Sequence, residues 1–177
     1  MKSKLLIFII FAALLLGFFL LVYNISKFVS VENLGEENLQ DQQRQGKQKI
    51  REEKIVTKII DGDTLIVEGG ERVRLLGIDS DERGYPCYNE AKTKLEELVL
   101  SKKVTIESST KAGDKDQYDR LLRYIFLDGE NINIKLVSEG LAIARIEQED
   151  NYKKEIVAAE QFAIQNKVGC KWNTTAI

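Results

Sequence analysis

The chain has 177 residues with 44% hydrophobic and 31% charged residues, a formal net charge of −2 and a pI near 5.5. It contains no histidine, which removes Ser-His-Asp hydrolysis, His-ligated zinc and His-based nucleases and leaves carboxylates, Arg, Lys, Tyr, Ser and Cys to carry any chemistry. The slight negative charge argues against non-specific nucleic-acid binding but leaves room for a local basic cleft.

Leu5 to Tyr23 is uninterrupted by charge. As a helix it would be roughly 28 Å long, close to the ~30 Å hydrocarbon core of a bilayer. Lys2 and Lys4 precede it, and only Lys27 follows closely before Glu32, Glu36 and Glu37. The positive-inside rule therefore predicts one N-terminal transmembrane helix over residues 1–26, with the rest of the chain extracytoplasmic. A cleaved signal peptide, which would make the protein secreted, is the weaker reading, because Asn24-Ile25-Ser26 is a poor cleavage site. Residues 27–53 are rich in Gln, Glu, Asn and Lys and read as a polar linker. Residues 54–177 remain for one domain.

The pattern then changes. Ile55–Ile60 and Thr64–Val67 are β-branched runs that meet at Asp61-Gly62-Asp63, and Gly69-Gly70 turns the chain into Arg72–Ile78. Ala91, Leu95, Leu98 and Val99 form one apolar face of a helix over Glu90–Leu100. Val104–Glu107 and Leu121–Leu127 are the fourth and fifth strands, the latter closed by Asp128-Gly129. A short helix is expected over Lys135–Glu139, stopped by Gly140, and a last one from about Tyr152 to Gln165, with Ile156, Ala159 and Ala163 inward. The fold class is α+β, mainly β: a five-stranded OB-like barrel with added helices.

Three polar clusters punctuate these elements: Asp61-Gly62-Asp63-Thr64; Arg74 with Asp79-Ser80-Asp81-Glu82; and Asp116-Gln117-Tyr118-Asp119-Arg120. Each alone reads as a turn, a solvated edge or a cap. Together they supply what phosphodiester cleavage needs without histidine: carboxylates for a hard cation, a base for water, and permanent positive charge for the transition state.

The order DGDT, RLLGIDSDE, DQYDRLLRYIF, NIKLVSEGLA resembles the staphylococcal nuclease (thermonuclease) family over about Ile55–Trp172. The resemblance implies an OB barrel with three helices. It also implies a Ca²⁺-dependent nuclease cutting DNA or RNA at the 5′ P–O bond and leaving 3′-phosphates. Mg²⁺, with its stricter octahedral geometry, is the poorer cofactor for turnover. By resemblance Asp63 and Asp79 ligate the metal with the Ser80 carbonyl, and Glu82 is the general base. Arg74 and Arg120 clamp the phosphate, and Tyr118 lies against the nucleotide. The chain departs from the family in carrying Ser80-Asp81 for Thr-Pro, Asp119 for Gly, Gln117 for Lys, and Ile146 and Gln148 for two tyrosines. Asp119 places a negative charge beside Arg120. The competing reading is a binding module on the same barrel; retention of all five charged site positions argues for the enzyme.

Two further expectations follow from position. Arg74 and Asp79 are five residues apart, so strict alternation puts them on opposite faces unless the strand breaks; Gly77 is the candidate break. Cys87 and Cys170 are the two cysteines, and an oxidising compartment favours a disulfide between them over two free thiols. Nucleic acid is the expected substrate, the membrane the other expected partner, and no obligate protein partner is evident.

Overall fold

The computed structural model describes Tyr23, residues 49–146 and residues 149–173. The chain divides into two compact units, Met1–Gly46 and Lys47–Ile177. In the first, only Tyr23, helical and exposed, is described. The expected membrane span and the linker as far as residue 48 otherwise lie outside the described residues. Among the described residues no helix is long and apolar enough to cross a membrane.

The second unit is built on β1 (Arg51–Ile59), β2 (Thr64–Val67), β3 (Arg72–Leu75), β5 (Lys103–Ser108) and β6 (Leu121–Leu127). The sheet runs β3-β2-β1-β5-β6 and closes because β3 also pairs with β6, in parallel, with Arg74 opposite Leu122. This is the five-stranded closed barrel the β-branched runs predict. β1 is long enough to serve two neighbours. Its first half pairs with β5 and its second with β2, and a register shift between Val56 and Lys58 bends it between them. Val56, Leu65, Val73, Ile106 and Ile125 fill the interior, each essentially inaccessible. Fully burying one such side chain contributes about 1.5–3 kcal/mol.

The linker boundary needs correction. Arg51, Glu52 and Glu53 belong to β1, opposite Glu107, Ile106 and Thr105 of β5. Their charged side chains are half-buried or exposed, so polarity hides a strand held here by backbone pairing. Ile50 adds its carbonyl to Ser108 N–H at 2.9 Å.

The expected third strand over 72–78 is two strands. β3 ends at Leu75, the chain turns through Leu76-Gly77, and β4 (Ile78–Ser80) pairs instead with β8 (Ala142–Ala144). Gly77 has φ +75°, left-handed backbone that a side chain adopts at a cost. β7 (Glu130–Asn131) is a two-residue extension.

α1 (Tyr88–Val99) buries Ala91, Leu95 and Val99 as its periodicity predicts. α2 (Ile132–Ser138) starts three residues before the expected helix, because the Asn131 side chain accepts from Ile134 N–H and caps it. α3 (Lys153–Asn166) buries Ile156, Ala159 and Ala163. A single-turn α4 (Gly169–Trp172) is a fourth helix beyond the three expected. It carries Cys170, which is bonded to Cys87 at the start of α1, with 5.4 Å between Cα atoms.

Candidate active site

The DGDT turn sets the first carboxylate. Asp61 accepts from Asp63 N–H at 3.1 Å, and the turn delivers Asp63 into the interior at 5% exposure. Gly62 is required by space: a Cβ there would sit 2.5 Å from Ala91 Cβ and 2.8 Å from Ser80 Cβ. That contact lets Ser80 N–H donate to Asp63 Oδ2 at 2.7 Å. Thr64 Oγ1 donates to Asp63 Oδ1 at 3.1 Å.

Arg74 lies opposite Thr64 in the β2–β3 ladder. Its Nη2 is 3.2 Å from Asp63 Oδ2 and 2.8 Å from Asp79 Oδ1, while Nη1 donates to Leu75 O at 2.8 Å. The break at Leu76-Gly77 is what puts Arg74 and Asp79 on one side. Arg120 Nη1 reaches Thr64 Oγ1 at 3.4 Å, so both guanidiniums border the same turn. Tyr118 is exposed, with the Arg120 guanidinium 5.4 Å from its ring centroid. Glu82 is exposed on the loop after β4, its carboxylate free of hydrogen-bond or ionic partners among the described residues.

Asp119 does not do what its position beside Arg120 suggests. It occupies left-handed backbone at φ +62°, which explains why glycine suits the place. Its carboxylate turns to solvent and pairs with Lys115 at 2.7 Å. The acid on Arg120 is Asp116, with Oδ2 2.7 Å from Nε. Burial pushes the Asp116 carboxyl up, but the Arg120 N–H and guanidinium outweigh it and hold it below the usual range.

Arg145 escaped the sequence reading. It follows β8, donates its N–H to Gly77 O at 2.8 Å and places Nη1 3.0 Å from Asp79 Oδ2. Arg74, Arg120 and Arg145 together line a cleft of about 350 Å³. The only hint in the sequence is a lone Arg in the apolar run LAIARI. Its meaning depends on a β4–β8 pairing too short to read.

The donor set fits a hard cation. Asp63 and Asp79 converge on one point, now held by Arg74 Nη2, and the ligands available are oxygens. Burial pushes Asp63 up to about 6, against the pull of Arg74 and Ser80 N–H, so this carboxylate is short of positive charge. Among the described residues no group of three acidic or thiol side chains converges, so a cation would rely on two carboxylates, a backbone carbonyl and solvent.

Residues 72–174 match the family model described as "Staphylococcal nuclease homologue". The chain belongs to the staphylococcal nuclease family. It is 33% identical over 122 residues to the thermonuclease of Staphylococcus intermedius, covering 64% of this chain and 71% of that one. It is 32% identical over 118 residues to the thermonuclease of Staphylococcus hyicus, covering 61% and 69%. With endonuclease YncB of Bacillus subtilis it shares 37% identity over 105 residues, 54% of this chain and 49% of the relative. These relatives support a nuclease function for the staphylococcal nuclease domain described above.

Proposed function

We propose that this domain is a Ca²⁺-dependent nuclease hydrolysing phosphodiester bonds of DNA or RNA outside the cytoplasm, tethered by its N-terminal segment. The observation that carries the reading is the convergence of Arg74 with Asp63 and Asp79, joined to Arg120 through Thr64. A phosphodiester entering the cleft exchanges carboxylate partners for phosphate oxygens at Arg74 and Arg120. Their donors are permanently charged and bidentate, so they strengthen as charge grows on the transferring phosphoryl group. Asp63, Asp79 and the Ser80 carbonyl would hold Ca²⁺, which supplies further charge neutralisation on the phosphate. The Glu82 carboxylate, free of side-chain partners among the described residues, takes the proton from the water whose oxygen bonds to phosphorus; the P–O5′ bond breaks and the 5′-oxygen takes a proton from solvent, leaving a 3′-phosphate and a 5′-hydroxyl. Tyr118, exposed beside Arg120, offers a ring to the nucleotide. The Cys87–Cys170 disulfide supports the extracytoplasmic placement, because such bonds persist in oxidising compartments.

Digestion of single-stranded DNA and RNA in Ca²⁺, in Mg²⁺ and in excess chelator tests this. Cleavage in Ca²⁺ that chelator abolishes is expected. Full cleavage in chelator refutes the metal requirement, and binding without cleavage in Ca²⁺ favours the binding module.

A further inference from the structure

A second concave surface lies one residue past the candidate base. Arg83, Tyr85, Tyr88, Asn89 and Lys92 line a groove of about 550 Å³. Tyr85 is 65% exposed, among the most exposed large aromatic side chains described. The Arg83 guanidinium sits 5.8 Å from the Tyr88 ring centroid and has no carboxylate partner among the described residues. Lys92, one turn along α1, has only a 3.8 Å contact with Glu96 to balance its charge.

The groove is rigid behind and exposed in front. Cys87 is buried and bonded to Cys170, and its N–H donates to Asp81 at 3.0 Å. Asp81 is also ion-paired to Lys171 of α4. Tyr88 Oη donates to Ile60 O at 3.5 Å, immediately before the DGDT turn, so the ring is tied to the catalytic loop. The backbone at Cys87 and the Tyr88 ring are held in place, so that part of the surface loses little entropy on binding. Nothing in the chemistry assigned to Glu82, Arg74 and Arg120 uses it.

Resting on the nuclease reading, we propose that this groove is a stacking subsite for unpaired bases of single-stranded nucleic acid flanking the bond held at Arg74 and Arg120. Tyr85 supplies the exposed π-face, and Arg83 and Lys92 meet the backbone phosphates, the combination that binds single strands without sequence preference. A duplex hides its base faces, so the groove discriminates between the two forms.

The experiment uses the full chain in detergent. Fluorescence anisotropy in chelator measures binding of a labelled twelve-nucleotide single strand and of the same sequence as duplex. Cleavage of a dinucleotide in Ca²⁺ is measured separately. Tyr85→Ala is expected to weaken single-strand binding about 5- to 30-fold, the contribution of one base–aromatic stack, and to leave duplex binding within about twofold. Arg83→Ala is expected to weaken single-strand binding more than Lys154→Ala, a matched loss of charge from an exposed site on α3. Dinucleotide cleavage is expected to be unchanged by Tyr85→Ala. Single-strand binding that survives Tyr85→Ala, or that falls equally in Arg83→Ala and Lys154→Ala, overturns the groove while dinucleotide cleavage upholds the nuclease. Tyr85-dependent binding without any cleavage upholds the groove and overturns the nuclease. Absence of oligonucleotide binding by the unsubstituted chain overturns the groove, with the cleavage assay deciding the nuclease independently.

Discussion

At the residue scale the site is a balance of charges held in reserve. Each cleft arginine is paired with an acid: Arg74 with Asp63 and Asp79, Arg120 with Asp116, Arg145 with Asp79. These pairs orient the guanidiniums, and under the nuclease reading proposed above the transition state is what would use them. Arg74→Ala, Arg120→Ala and Glu82→Gln are therefore expected to lower kcat by two or more orders of magnitude. Near-native kcat in all three, with folding verified by circular dichroism, refutes the assignment. Asp63 gives a pH signature. Its carboxyl is pushed from 3.8 to about 6, mainly by burial. The native state thus holds a proton that the unfolded chain has released, and stability from this group is full below pH 4 and lost as pH rises through 6. The loss is on the order of 1–3 kcal/mol without divalent cation, and Ca²⁺ is expected to reverse it. Urea denaturation from pH 4.5 to 7.5 checks this against Asp63→Asn, which lacks the slope. Equal slopes in the two proteins contradict it.

At the scale of elements, the segment from Ser80 to Cys87 owes its position to a distant piece of chain. Where the family resemblance implies a stiffening proline in this loop, Asp81 stands in this chain. Its carboxylate binds Cys87 N–H and Lys171, which holds it below the ordinary range despite its burial. The disulfide adds a covalent tie across 83 positions. The chain-entropy model assigns such a loop roughly 4–5 kcal/mol. Cys87→Ser with Cys170→Ser is expected to lower stability by about 2–5 kcal/mol and to raise amide exchange over residues 81–87, which carry Glu82. Unchanged stability and exchange, or two free thiols titrating in the unreduced denatured chain, contradicts the strap. A second long-range tie joins the start of β1 to α3. Glu107, fully buried, accepts from Tyr152 Oη at 2.7 Å and pairs with Lys49 at 2.8 Å. Lys49, which read as linker, is thereby fastened to the barrel at β5.

For the whole molecule, the barrel closes entirely within residues 47–177, and every candidate catalytic residue belongs to that unit. A fragment of residues 47–177 is expected to unfold in one cooperative step and to keep the kcat of the full chain. One beginning at residue 54 loses the Arg51–Glu53 pairing with β5 and is expected to be less stable by more than 1 kcal/mol, about the net contribution of a single hydrogen bond. Equal stability of the two fragments would show the added pairs to be incidental. The difference turns on what a sequence encodes locally. β-branched runs meeting at Asp-Gly-Asp, and the inward spacing of Ile156, Ala159 and Ala163, reflect short-range sterics and burial, so strand, turn and helix were legible from neighbours alone. The three polar clusters were legible too, and the structure brings Asp63, Arg74 and Asp79 together with Arg120 beside them; the roles given to these side chains came from the family resemblance. The β4–β8 pair, Arg145 on Asp79, Asp119 turned toward Lys115, and the strand hidden in Arg51–Glu53 were not legible. Each depends on a partner far along the chain or on backbone hydrogen bonds that leave no periodic trace in side chains. Only closure of the barrel, which brings such partners together, decides them.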